Sequence, residues 1–340
     1  MATLPDPQGV LDRLLELQGA VRDVVIRSRE RSGGGLHEVT RSSSADTIYR
    51  IDAEVDPILE SFCQAWGKTT PLVLVAEGLE DEHGKEVEHR VFPHGTREAD
   101  AVIRVIVDPI DGTRGIMYDK RAAWSLAGVA PNKGRATRLR DIEVAAMTEL
   151  PTSKMGRADV LWAMKGQGAK GVRDDLSSGA STDLLLRPSL ATGIDHGFAT
   201  VSNFFPGTKV LASELMEHLA RNLIGAADVT RATVFDDQYI STGGQFYELI
   251  VGHDRFNADL RPAFYRLQGQ PEGLCCHPYD CAAMLVAEEA GVVLTDENGQ
   301  QLDGPLDTTT GLSWAGYANA SLQKRIEPLL MQFLRGEKKQ

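Results

Sequence analysis

Positive charge is scarce in this chain: 36 Lys and Arg stand against 48 Asp and Glu, a formal charge of −12 over 340 residues. A surface biased in this way repels nucleic acid and anionic membranes, so neither is expected as a partner. An anionic substrate would then need positive charge supplied locally, and bound metal can supply it. Cysteine is also scarce. Cys63, Cys275, Cys276 and Cys281 are too few and too clustered to form a disulfide framework in a chain this long. His277 beside them invites a zinc reading, but structural zinc usually takes two separated ligand pairs, and small buried hydrophobes are the expected role of these thiols. No apolar run approaches the ~20 residues of a membrane span. The opening Met1-Ala2-Thr3-Leu4-Pro5-Asp6 lacks the basic then apolar layout of a signal peptide, so a cytoplasmic protein is expected.

What is present suits a large core. The chain is 42% hydrophobic and 25% charged, which predicts one large unit or two closely packed ones. Apolar residues at helical spacing predict a long helix over 8–31, and the triple glycine after it a stop. Alternation predicts a strand over 47–52, then a helix to about 66 with Asp52 as its cap. Short apolar runs predict buried strands over 72–76 and 101–107, further strands over 140–150, 159–165 and 197–203, and a helix over 212–223. The Gly/Ser/Asp-rich interval 171–183 is the expected boundary between a 1–183 half and a 184–340 half.

The second buried strand, 101–107, delivers Asp108-Pro109-Ile110-Asp111-Gly112-Thr113 at its carboxyl end, where α/β proteins put their chemistry. Pro109 is expected to stop the ladder and Gly112 to permit the turn. Two carboxylates there can collect a hard cation. The N–H groups of Gly112 and Thr113 can face a phosphate if a helix starts at this point. Taken alone the stretch can equally be an Asx turn. Proline two positions before Asp111 removes the nucleophile that an aspartyl-phosphate enzyme would carry there.

The longer spacing resembles the signature of the inositol monophosphatase superfamily, Mg²⁺-dependent and Li⁺-sensitive phosphatases. Two further motifs stand in that family's order. The strand over 72–76 ends on Ala76-Glu77-Gly78, similar to the family's Gly-Glu-Glu with the second Glu lost. His277-Pro278-Tyr279-Asp280-Cys281-Ala282-Ala283 is similar to Pro-Trp-Asp-x-Ala-Ala, with Tyr in place of Trp. Ile51-Asp52 stands where the family closes a strand on Thr-Asp. Lys165-Gly166-Gln167-Gly168-Ala169 is similar to its Arg-Gly-x-Gly-Ala turn. Alone, Glu77 reads as a loop acid and Asp280 as a cap at the start of the helix over 284–290.

The resemblance implies a layered αβαβα sandwich, an α+β half carrying metal and an α/β half completing the site, and a homodimer. It implies two or three Mg²⁺ ions held by Glu77, Asp108, the Ile110 carbonyl, Asp111 and Asp280. Glu77, Thr113 and Asp52 would be catalytic, with Asp52 bonded to Thr113, and Gly112 and Thr113 would hold the phosphate. Thr242 and Gly243 are candidates to face the substrate, although Ser241-Thr242-Gly243-Gly244 can equally be a glycine-rich helix start. The expected activity is hydrolysis of a small polyol, inositol or sugar phosphate by an activated water. Arg114-Gly115 instead looks like the Lys-Gly of 3′(2′),5′-bisphosphate nucleotidases, and a third reading is a non-catalytic binding or regulatory member of the same fold. The stretch 257–276 carries no readable pattern.

Overall fold

The structure is a computed structural model that describes residues 3–32, 39–42, 47–80, 85, 87–226 and 230–336, with the backbone alone described at 30–32, 39–42, 47–50, 52 and 53. Five layers alternate helix and sheet. The outermost helices are α1 (Pro7–Ser32) and α2 (Arg50–Gly67). Along α1, Val10, Leu11, Leu14, Leu17, Val21 and Val25 form one buried face, as their spacing requires. Gln18, buried on that face, donates to the Ser125 and Ala146 carbonyls at 2.9 Å and accepts from Thr148 at 3.0 Å, so its amide is satisfied.

Beneath these helices lies an eight-stranded sheet. Its strands in chain order are β3 (Leu72–Ala76), β4 (Arg90–Phe92), β5 (Ile103–Asp111), β6 (Ala123–Pro131), β7 (Val144–Leu150), β8 (Arg157–Met164), β9 (Ala169–Asp175) and β10 (Ser181–Asp183). They lie in the order β10-β9-β8-β7-β6-β5-β3-β4; β3 and β5 are parallel and the other neighbours antiparallel. A short ladder of β1 (Val39–Ser42) and β2 (Thr47–Tyr49) stands apart. The sheet is covered on both faces, which is why its central strands read as unbroken apolar runs. Leu72, Leu74, Ile103, Val105 and Val107 face the core under α1 and α2, whereas Val73, Val75 and Ile106 face the opposite core. Each such side chain contributes roughly 1.5–3 kcal/mol relative to exposure.

The middle layer is α5 (Thr242–Ile250) and α7 (Met284–Ala290). Beyond it runs a four-stranded sheet of β11 (Phe198–Val201), β12 (Asp254–Asp259), β14 (Trp314–Tyr317) and β13 (Val293–Asp296), in that spatial order. Helices α4 (Lys209–Leu223) and α8 (Ala320–Leu334) close the far side. Among the described residues the further short helices are α3 (Thr113–Met117) and α6 (Arg261–Leu267). The expected αβαβα sandwich is the architecture found.

Three local expectations are corrected. The strand expected over 101–107 runs on to Asp111: Asp108 pairs with Leu126 and Asp111 with Trp124, so one extra residue is absorbed and Pro109 sits in a bulge rather than at a stop. Most of the interval 171–183, where the two halves were expected to meet, pairs as the β9–β10 hairpin at the sheet edge; polar residues are tolerated on an edge strand open to water. The strand expected over 47–52 ends at Tyr49. Helix α2 already begins at Arg50, so Asp52 is its third residue and not its cap.

Candidate active site and metal centre

The bulge re-aims the end of β5. Asp108 turns back on itself, its carboxylate accepting the Ile110 N–H at 3.1 Å. Asp111, one step past the bulge, points at the start of α5. There the Ser241 hydroxyl donates to it at 2.8 Å, the Gly243 N–H at 2.5 Å and the Thr242 N–H at 3.3 Å. Ser241 also caps α5, its oxygen accepting from the Gly244 N–H at 2.8 Å. A Cβ at Gly243 would stand 2.5 Å from Leu126 Cδ2 and 3.0 Å from Asp111 Oδ2, so only glycine lets the helix approach this closely.

Asp280 arrives from the other half of the chain. It does not begin a helix, since α7 starts only at Met284. Asp280 lies in the turn before it and accepts the His277 N–H at 2.6 Å. Carboxylate oxygens of Asp108, Asp111 and Asp280 all lie within 4.8 Å of one another. Glu77, just past the end of β3, lines the same cleft and is close enough to Asp108 for their charges to interact.

Such a cluster resists ionisation. Asp108 is pushed well above the usual carboxylate range, first by burial and then by the charges of Asp111, Asp280 and Glu77. Burial and Asp280 push Asp111 up to about 8, against the pull of its Gly243, Ser241 and Thr242 donors. The donor set is all hard oxygen, and a divalent cation would remove the repulsion, so these residues fit a hard divalent cation. Ile110 lines the cleft too, and its carbonyl accepts the Thr113 hydroxyl at 2.7 Å, which leaves that oxygen a second lone pair.

Gly112 and Thr113 line the cleft where α3 starts; Gly112 takes the left-handed conformation at φ 96°. The Asp52 side chain lies outside the described residues, so its pairing with Thr113 is not part of this geometry. Thr242 lines the cleft, whereas the Gly243 N–H is engaged by Asp111. Sequence reasoning missed Ser241, which a serine ahead of a glycine pair could have signalled as a cap. It also missed Phe204, Phe205 and Arg261, which line the cleft without any local pattern. The four cysteines are free and buried, and the Cys276 and Cys281 sulfurs lie 3.6 Å apart.

No family model matches the chain. A curated relative from Methanothermobacter thermautotrophicus, named fructose-1,6-bisphosphatase/inositol-1-monophosphatase, is 23% identical over 316 residues, 90% of this chain and 94% of the relative. Among solved structures, Leishmania major fructose-1,6-bisphosphatase superposes with a TM-score of 0.66 at 14% identity, covering 97% of this chain and 94% of that one. Thermotoga maritima IMPase superposes with a TM-score of 0.62 at 14% identity, covering 97% and 99%. By its architecture and the order of its motifs, the chain has the fold of the inositol monophosphatase and fructose-1,6-bisphosphatase superfamily.

Proposed function

We propose that the chain is a Mg²⁺-dependent phosphomonoesterase that hydrolyses a small polyol, inositol or sugar phosphate by attack of water, working in the cytoplasm as a homodimer. The observation that carries this reading is the convergence of Asp108, Asp111 and Asp280, distant in sequence, to within 4.8 Å beside the Gly112–Thr113 turn. A site without cations has no physical reason to gather so many like charges. The curated relative's name joins a sugar bisphosphatase and an inositol monophosphatase, in keeping with a small phosphorylated substrate.

Bound Mg²⁺, held by Glu77, Asp108, the Ile110 carbonyl, Asp111 and Asp280, would acidify water and offset charge on the phosphoryl and leaving oxygens. The chain's own groups do the rest. Gly112 and Thr113 present backbone N–H groups to the phosphate. The Thr113 hydroxyl donates a hydrogen bond to the Ile110 carbonyl, and its oxygen would accept from the attacking water and aim a water proton away from the line of attack. Ser241 and Gly243 hold Asp111 in place. No side chain is asked to carry a covalent phosphate.

Phosphate release is to be measured on inositol, sugar and nucleotide phosphates with Mg²⁺, then with Li⁺ added. Release that needs Mg²⁺ and falls with Li⁺ is expected, and Thr113→Ala should lower kcat by about 10²-fold while the Mg²⁺-dependent rise in Tm persists. If no substrate yields phosphate, the reading fails in favour of a non-catalytic chain of the same fold.

A further inference from the structure

The Asp111 carboxylate stands where the start of α5 puts it, because the Ser241 hydroxyl and the Gly243 N–H hold one of its oxygens. The start of α5 must then be fixed in turn. Behind it lies Tyr239, in the loop just before the helix and only 6% exposed. A Cβ at Gly244 would stand 2.4 Å from Tyr239 Cε1 and Cζ, so the first turn of α5 rests directly on this ring. The Ser241 N–H donates to the Tyr239 carbonyl at 2.9 Å, which ties the cap of the helix to the same residue.

The far end of the side chain is anchored in the large sheet. The Tyr239 hydroxyl accepts from Trp124 Nε1 at 3.0 Å and donates to the Ala122 carbonyl at 3.0 Å. Ala122 and Trp124 flank Ala123, the first residue of β6, and Trp124 is the residue that pairs with Asp111 past the bulge. One hydroxyl therefore joins the strand beside Asp111 to the helix that grips Asp111. Burial raises the pKa of Tyr239, so it keeps the proton that the bond to Ala122 needs. Trp124 also packs its ring on Tyr247, one turn further along α5, with centroids 4.7 Å apart. The Arg121 guanidinium, 3.8 Å from the ring centre, covers Tyr239 and is itself held by Asp237 at 2.8 Å and Glu248 at 3.3 Å.

We propose that Tyr239 is a positioning residue for the metal centre: its hydroxyl locks the start of α5 to β6 and so sets the place of the Asp111 carboxylate. This rests on the reading of the acid cluster as a Mg²⁺ site and adds the support behind it. Mg²⁺ demands a near-octahedral oxygen shell at about 2.0–2.1 Å, whereas Ca²⁺ accepts roughly six to eight oxygens at about 2.3–2.6 Å in flexible arrangements. A loosened Asp111 should therefore weaken Mg²⁺ more than Ca²⁺.

Kd values for Mg²⁺ and Ca²⁺ are to be measured by titration calorimetry on the full chain, with phosphate release as a second readout. Tyr239→Phe keeps the ring and deletes the hydroxyl. Its Kd for Mg²⁺ should rise about tenfold and that for Ca²⁺ by less than about threefold, while kcat at saturating Mg²⁺ should change by less than about threefold. Thr148→Val is the control for lost stability, because it deletes the 3.0 Å bond to buried Gln18 on the sheet face under α1. It should lower Tm and leave both Kd values in place. An unchanged Mg²⁺ Kd in Tyr239→Phe, an equal rise for both ions, or the same rise in Thr148→Val overturns the positioning role and leaves the metal centre intact. Where Tyr239→Phe does not fold, Arg121→Gln decides: stripping the cation from the ring should raise the Mg²⁺ Kd about threefold, and no rise overturns the role. A parent chain that binds no Mg²⁺ overturns the metal centre and this role together. A raised Kd in a chain whose parent releases no phosphate supports the role and overturns the phosphatase alone.

Discussion

Replacing Asp111 by Asn should stabilise the metal-free protein while abolishing its response to Mg²⁺. In the folded chain Asp111 is buried, and burial together with Asp280 beside it pushes its pKa up to about 8, from an ordinary value of 3.8. An acid that holds its proton more tightly when folded lends stability below its unfolded pKa, and that stability is lost as pH rises through the folded one. Between pH 4 and pH 8 the loss amounts to on the order of 5 kcal/mol for this group alone. Asparagine is nearly isosteric and never ionises. Its oxygen can keep the Ser241 and Gly243 donors that now reach Asp111 Oδ2, and its NH₂ can face Asp108 and Asp280 as a donor. Those two hydrogen bonds therefore survive, only the longer 3.3 Å one from the Thr242 N–H to Oδ1 is lost, and the repulsion goes.

The assay is thermal unfolding at pH 5 and pH 8, with a chelator and with millimolar Mg²⁺. In the parent chain Mg²⁺ should raise Tm strongly at pH 8, by the roughly 2.7 kcal/mol expected at a hundredfold excess over Kd, and far less at pH 5, where protons compete for the same oxygens. In Asp111→Asn the chelated protein should melt higher than the parent at pH 8, the two should converge at pH 5, and added Mg²⁺ should move the variant little. A variant that melts lower than the parent at pH 8 would refute the repulsion. One that keeps the full Mg²⁺ response would refute Asp111 as a ligand.

One further prediction concerns the support of the site and one a buried acid elsewhere in the large sheet. Gly243→Ala forces a methyl against Leu126 Cδ2 and Asp111 Oδ2; it should cost roughly 1–3 kcal/mol and raise the Mg²⁺ concentration at half-maximal stabilisation. An unchanged midpoint would mean that α5 does not position Asp111. Glu149, on β7, has its pKa raised to about 7 by burial, its carboxylate accepting the Asp159 N–H at 3.0 Å. Its contribution is full below pH ~4.5 and lost by pH ~7, a difference of roughly 3 kcal/mol. Glu149→Gln should therefore flatten the dependence of the urea midpoint on pH across that window, and an identical profile in the variant would exclude the carboxylate as its source.

The parts of this molecule legible in its sequence are those whose cause is local. The strands β3 and β5 are covered by helices on both faces, so nearly every residue had to be apolar and the runs stood out. The acids announced themselves because they end such runs. Features that depend on distant partners did not. The bulge at Pro109 exists because β6 pairs on both sides of it, and a proline alone cannot distinguish a bulge from a stop. The edge hairpin of β9 and β10 is written in polar residues that serve a linker equally well. Arg261 gave no sign because its meaning lies in Phe204, Phe205 and Asp259, brought to it from β12 and from the loop after β11. The same division separates chemistry from selectivity here. Ligands that must share a cation are constrained to acidic side chains at strand ends and turns, which leaves a motif. A wall that fits a substrate is free to use any residue the fold delivers, so selectivity leaves no local pattern to read.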